Sequence, residues 1–469
     1  MKKTAGLLAC LVLAGALYTL SGCATKDGIP ADLIISGAMV VTVNPEMEVI
    51  NQGSVVIRDG EILDVGPCAE VDSRYRPSKV IDARGKLVMP GLVNTHTHVP
   101  MTALRGYADD LPLKDWLEDN IWPAEAFEVT ADHVYRSSRL AMAEMISSGT
   151  TTFNDMYFYE HQVARAAREA GLRAVVGETM IEPDSPDSPG PDIEFARAKE
   201  LVEAYRDDPM VTVTIAPHSV YTCSKEFLEK CIAFAREHDI ALHIHLAESR
   251  EEVETVMDQY GMRPVEFLDS IGGLGERTIC AHCVQLDESE ITLIASRGAA
   301  VAFTIQSEMK LADGIPPLAA MLEAGLKLGM GTDGPASNND LDMFEEMNNA
   351  ALVAKALSGD PACADARTMV RMATLGGARV LGLDELVGSI EPGKRADLII
   401  IGIDQPKHIP MYEPHSHIVY VIDGDDVETV LVDGRLVMLD REVLTVDVEE
   451  AVRDVREIAL ELDRTRPSR

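Results

Sequence analysis

Two histidines one residue apart, His96 and His98, close the apolar run LVMPGLVNTHTH. On a β-strand alternate side chains share a face. The two imidazoles therefore look the same way and can hold a divalent metal. Alone, such a pair could equally be two unrelated histidines beside a turn. Further polar residues recur where other short apolar runs end: His218 in IAPHSVYT, His245 and Glu248 in ALHIHLAES, His282 in ICAHC, and Asp333 in LGMGTDGPAS. Any one of these is more often structural than a ligand, but the whole set is hard to obtain by accident. A hydrolytic zinc-type site takes nitrogen and oxygen ligands and keeps a position open for water. His96, His98 and His245 supply three nitrogens and Asp333 an oxygen. His243 shares a face with His245 and competes with it, but lies deeper in its run, so His245 is preferred. Glu248, just beyond, is placed to exchange a proton with the water.

These side chains need a scaffold that presents the ends of many strands together. Between about residues 90 and 390 helical patterns such as Ala131 to Ser147 and His161 to Glu169 alternate with short apolar runs. The runs are Gly91 to Thr95, Thr150 to Asn154, Arg173 to Gly177, Val211 to Ala216, Ala241 to Leu246, Thr278 to His282, Ala299 to Thr304 and Leu328 to Gly331. This alternation predicts a parallel α/β architecture, and about eight units make it a (β/α)8 TIM-type barrel, whose chemistry sits at the C-terminal strand ends. The two chain ends differ in texture. Asp32 to Val43, Ser54 to Val65 and Val80 to Met89 read as strands, as do Asp397 to Ile403, His417 to Ile422 and Val427 to Val437. Asp59-Gly60 and Asp433-Gly434 are hairpin signals. A small β-sandwich domain built from both chain ends follows, with parts at 30–88 and 387–445 flanking a barrel at 89–386. A helix and short basic tail occupy 446–469.

Composition sets bounds. Of 469 residues, 77 are acidic and 42 basic, a net charge of −35. That field repels nucleic acid and anionic membrane surfaces. Residues 1–22 read as a lipoprotein signal peptide: Lys2 and Lys3, an apolar run from Ala5 to Leu17, then Leu20-Ser21-Gly22-Cys23. The apolar run is short for a membrane span. The tetrapeptide resembles a bacterial lipobox, with Cys23 the lipidated residue, so the expected location is the cell envelope, with a lipid anchor as the sole membrane contact. Cys68, Cys223, Cys231, Cys280, Cys283 and Cys363 form no regular disulfide framework. Cys280-Ala-His-Cys283 reads as buried structural thiols.

The motifs PGLVNTHTH, LPLKDWLEDNIWPAE, TTFNDMYF, PHSVYTCS, HLAES, AHC, GTDGPASNNDLDMFEEM and GSIEPGKRADLI resemble the amidohydrolase superfamily, and within it the 5′-methylthioadenosine/S-adenosylhomocysteine deaminases, from about residue 30 to 445. The resemblance implies one divalent ion per subunit, zinc first and iron or manganese as alternatives, on His96, His98, His245 and Asp333. It implies that Glu248 moves a proton from water to a ring nitrogen, that His282 orients and polarises the attacking oxygen, and that Asp333 passes a second proton to the departing amine. His218, Trp116, Glu125 and Glu248 would bind a small heterocyclic substrate. Trp116 would pack on the nucleoside and Glu125 would meet ribose hydroxyls. No lysine follows Ala216-Pro217 on the fourth barrel strand, which supports a mononuclear site. Two departures stand out. Phe303-Thr304-Ile305 replaces the usual histidine-asparagine-proline, which is expected to make the rim beside the pocket more apolar. No arginine in Val176 to Met180 is offered to a substrate carboxylate. The leading expectation is a deaminase of an adenosine-like nucleoside. The same site acting on guanine, cytosine or an s-triazine is the alternative, and a non-catalytic ligand-binding lipoprotein a remote one. Homo-oligomerisation is left open.

Overall fold

The structure, a computed structural model, describes residues 28–464 apart from 183, 184 and 189. The proposed signal segment and Cys23 lie outside the described residues. The chain opens with β1 (Ile29–Val41), β2 (Val49–Arg58), β3 (Glu61–Pro67), β4 (Tyr75–Asp82) and β5 (Lys86–Pro90). The single strand expected over Val80 to Met89 is thus two, broken at a turn where Gly85 takes φ 76°. That left-handed conformation is open to glycine at little cost.

The eight alternating runs are the strands of a closed parallel barrel: β6 (Leu92–Thr97), β7 (Thr150–Tyr157), β8 (Arg173–Met180), β9 (Val211–Pro217), β10 (Ala241–Leu246), β11 (Thr278–His282), β12 (Ala300–Phe303) and β13 (Lys327–Met330). Each pairs with its neighbour in sequence, and β13 closes onto β6 through Met330 and Asn94. Every residue of β6, β7 and β8 is buried, as parallel strands covered on both faces require. Their helices start where the sequence offers side-chain caps, for example Thr130, Ser224, Ser249 and Asp342, each of which accepts a backbone N–H of the first turn.

After the barrel come β14 (Leu398–Gly402), β15 (Val427–Val432), β16 (Arg435–Leu439) and β17 (Glu442–Val443). They join the first five strands in one nine-stranded sheet, ordered β17-β16-β15-β14-β5-β1-β2-β3, with β4 on β1. The joint is β5, parallel to β1 on one side and antiparallel to β14 on the other. The sheet curls so that Glu61 bridges Arg395, and Ile35, Ile57, Leu398 and Leu431 share a core. Both Asp-Gly hairpins form, with positive φ at Asp59, Gly60, Asp433 and Gly434.

Of His417 to Ile422, expected as a strand, the first four residues belong to a helix, Pro414–Tyr420, and none is strand. Pro414 sits in the first turn, where its missing N–H costs nothing, and the Glu413 side chain caps His415 N–H. Ile418 and Val419 are buried in the large core, so packing outweighs their β-propensity. The last helix, Val448–Leu462, lies on Ala131–Ser147. It buries Ala451, Ile458 and Leu462 and pairs Glu457 and Glu450 with Arg136 and Arg139, each at 2.7 Å. Among the described residues, no helix is long and apolar enough to cross a membrane. The six described cysteines are free thiols, Cys280 and Cys283 among the buried ones.

Candidate active site

The strands end on unusual backbone. Ala247, His282 and Asp333, none of them glycine, have φ values of 53°, 70° and 60°. Such left-handed conformations are costly and persist where the surroundings over-determine them. Here they turn side chains at the ends of β10, β11 and β13 towards the barrel mouth. Asp333 N–H donates to the His96 carbonyl at 3.0 Å, and Thr97 Oγ1 donates to the Asp333 carbonyl at 2.9 Å.

Four side chains converge there. Asp333 Oδ1 lies 3.4 Å from His96 Nε2 and 3.2 Å from His98 Nε2. His245 Nε2 lies 3.3 Å from His98 Nε2. Ligand atoms about 2.0–2.2 Å from one zinc-type ion stand at about this separation from each other. His96 Nε2 is buried without a hydrogen-bond partner, an orphan that a metal ion would satisfy. The other ring nitrogens are held from behind. His98 Nδ1 bonds to the Met156 carbonyl and His245 Nδ1 to the His218 carbonyl at 2.7 Å. A carbonyl only accepts, so both Nδ1 atoms carry the proton and both Nε2 lone pairs face the centre. His243 Nε2 sits 2.9 Å from His96 Nδ1. It stands behind His96 and outside the ligand cluster. Asp333 Oδ2 accepts from Ser307 Oγ and Ser337 Oγ, both at 2.6 Å, which leaves Oδ1 for the centre. The donor set fits one divalent ion with oxygen-and-nitrogen preference.

Burial drives the His96 imidazole down to about 3 and His245 well below its ordinary value, so both are neutral, as ligands must be. Burial works against an ionised Asp333, but the His96 and His98 imidazoles beside its Oδ1 hold its carboxyl well below the usual range. Glu248 is pushed well above it by burial and stands 3.8 Å, Oε1 to Nε2, from His282. Its raised proton affinity suits a carboxyl that takes and returns a proton. Glu252 accepts from the backbone N–H groups of Ala247 and Glu248, both at 2.8 Å, pinning the turn that carries Glu248.

His98, His218, His245, Glu248, His282 and Asp333 line one cavity. Trp116 and Glu125 line it too, from the segment after β6, with Trp122 and Leu117 between them. Glu125 is 4% exposed. Burial raises its carboxyl to about 7, and Tyr157 donates to it at 2.6 Å. The indole N–H of Trp116 has no partner. Burial lowers His218 to about 3, and its Nδ1 is 3.0 Å from Thr222 Oγ1. His96, His98, Trp116, Glu125, His218, His245, Glu248, His282 and Asp333 therefore meet in one place. The altered segment does not. Phe303 and Ile305 are 1% and 0% exposed in the core, and the wall beside the cavity is supplied by Leu311. The expected apolar change of the rim is corrected accordingly. Alternation along β12 turns Phe303 outward from the barrel axis. Thr304 instead reaches the back of His282, at 3.1 Å from Nδ1. Sequence reasoning missed Glu252, Tyr157, Thr304 and Glu308. The spacing of Glu252 four residues after Glu248 was the one local signal.

A parallel barrel carrying three imidazoles, one ionised carboxylate and an adjacent glutamate at its C-terminal mouth is a hydrolase of the metal-assisted kind. The amidohydrolase family model matches residues 87–437, and the chain belongs to that family. It is 46% identical over 430 residues to the 5-methylthioadenosine/S-adenosylhomocysteine deaminase of Syntrophobacter fumaroxidans, covering 92% of this chain and 98% of that one. It is also 46% identical over 412 residues to the 5′-deoxyadenosine deaminase of Methanothermobacter thermautotrophicus, covering 87% and 94%. A solved adenosine deaminase from Xanthomonas campestris with bound zinc superposes with a TM-score of 0.92 at 39% identity, covering 93% of this chain and all of that one.

Proposed function

We propose that the chain is a metal-dependent hydrolytic deaminase that releases ammonia from an adenosine-like nucleoside of the 5′-methylthioadenosine, S-adenosylhomocysteine, adenosine or 5′-deoxyadenosine type. The observation that carries the reading is the opposition, in one cavity, of the His96-His98-His245-Asp333 cluster to Glu248 and His282. His96, His98, His245 and Asp333 would hold one zinc ion. When bound, the ion supplies a Lewis acid able to bring the pKa of water to about 7.

The chain's own residues do the rest. Glu248 accepts the proton of the attacking water and returns it to a ring nitrogen, which makes the adjacent carbon electrophilic. His282 Nε2 orients the attacking oxygen. Asp333, kept ionised, takes the second proton and passes it to the leaving amine. Displacement of an amino group on an aromatic ring needs this ring protonation, whereas opening of a cyclic amide does not. Trp116 and Trp122 offer flat apolar walls, Glu125 an acceptor for ribose hydroxyls, and His218 a neutral ring at the substrate. A second part of the proposal concerns location: the Leu20-Ser21-Gly22-Cys23 pattern supports export and lipidation at Cys23. Mass spectrometry of the mature N-terminus tests it, and an unmodified Cys23 in the membrane fraction would sink it.

The activity is tested by ammonia release from the zinc-loaded protein without residues 1–22. The panel is adenosine, 5′-methylthioadenosine, S-adenosylhomocysteine, 5′-deoxyadenosine, guanine, cytosine and an amino-triazine. Turnover of the adenosine analogues is the expected result. Turnover confined to the last three would replace the substrate class.

A further inference from the structure

Thr304 and the nearby Glu308 build a polar group behind His282. Glu308 is fully buried. Its Oε1 lies 3.0 Å from His282 Nδ1 and accepts from Thr304 Oγ1 at 2.6 Å. Thr304 Oγ1 is itself 3.1 Å from His282 Nδ1. The protons can be counted. A carboxylate has only acceptors, and the single hydroxyl proton of Thr304 goes to Glu308. The proton between His282 and this pair must therefore sit on Nδ1, pointing into the fork of Glu308 Oε1 and Thr304 Oγ1. His282 Nε2 is then the nitrogen left facing the cavity and Glu248. The nearby Lys310 is engaged elsewhere, with Asp109 at 2.6 Å and Asn339 at 2.7 Å. Glu308 Oε2 has no partner. A buried carboxylate so sparsely satisfied is costly and needs a strong reason to be kept.

We propose that Glu308, with Thr304, is a positioning residue for the reaction: the pair fixes the tautomer and tilt of His282 and places a fixed negative charge behind the ring that polarises the attacking oxygen. The inference rests on the deaminase reading, which assigns His282 its role. Orienters of this kind, one step removed from the reacting atoms, are worth about 10- to 100-fold.

The test uses the full zinc-loaded protein and the best substrate of the panel. Glu308→Gln keeps a hydrogen-bonding group of the same shape and removes the charge. Glu308→Ala opens a space, and Glu308→Asp restores the carboxylate. The expected result is a kcat about 10- to 100-fold lower for the first two, with KM and zinc content unchanged. Partial recovery is expected in Glu308→Asp, and recovery of Glu308→Ala when formate is added. Wild-type kcat in Glu308→Gln would overturn the proposal. So would a loss in Glu308→Ala that tracks zinc release or unfolding and that formate does not relieve, because that is a structural role. A wild-type protein inactive on every nucleoside would instead overturn the deaminase reading on which the inference rests.

Discussion

Each side chain assigned a part in the proposed reaction is set by the groups packed behind it. In the proposed reaction Glu248 moves the proton, while Glu252 takes the backbone donors of its turn. Glu248→Gln preserves shape and removes the base. We expect kcat to fall by at least about 100-fold while metal analysis still finds zinc, since no ligand has changed. Normal turnover would refute the assignment. A second glutamate is raised by burial in the same direction, away from the proposed chemistry. Glu194 is 1% exposed, and burial raises its carboxyl from 4.5 to about 8. Its folded-state pKa lies above the unfolded one, so between about 4.5 and about 8 the folded chain keeps a proton that the unfolded chain has lost. Stability from this group is therefore complete below that window and declines as pH rises through it, by at most about 1.4 kcal/mol per pH unit. In Glu194→Gln, melting temperature measured from pH 5 to pH 9 should fall less steeply than in the wild type. Parallel curves would show that the group does not titrate in this way.

Elements set the precision of the site through backbone approach. Gly331, just past β13, stands so close to β6 that an added Cβ would meet His96 N and O at 2.7 Å. Backbone cannot step aside as a side-chain tip can. Gly331→Ala should cost about 1–3 kcal/mol and separate His96 from Asp333. It is expected to lower both the urea midpoint and the zinc bound per chain. A variant with full zinc occupancy would show that the barrel absorbs the methyl group elsewhere. The helix Pro414–Tyr420 makes the complementary point about local pattern. Its β-branched residues read as a strand, yet a capped start and two buried apolar side chains make it a helix.

At the scale of the molecule, barrel and sheet are tied by a buried ion pair. Arg173, at the N-terminal end of β8, meets Asp397 at 3.0 Å, with side chains 4% and 1% exposed. Arg173 also donates to the Pro209 carbonyl, and Asp397 accepts from Asp433 N–H. Removing one partner strands the other in a dry interface. Arg173→Ala should lose about 3–5 kcal/mol, read from chemical unfolding, and the pair Arg173→Met with Asp397→Leu should recover much of it. The site lies at the other end of the barrel, so kcat at low temperature should be unchanged. A kcat loss without destabilisation would contradict the structural role.

The amino-acid sequence alone determined the barrel, the joining of both chain ends and the four converging side chains His96, His98, His245 and Asp333. Strand periodicity, Asp-Gly turns and the His-x-His spacing are properties of neighbouring residues, and a parallel barrel always gathers the ends of its strands. What stands behind these and the other side chains of the site was decided only by the tertiary structure. His243 belongs behind His96, Thr304 and Glu308 behind His282, and Phe303 and Ile305 inside the core. Each placement pairs residues 22 to 147 positions apart or depends on which face of a strand meets a helix. No local pattern carries that information, because such partners are chosen by barrel closure and by the cost of leaving a buried polar group unpaired.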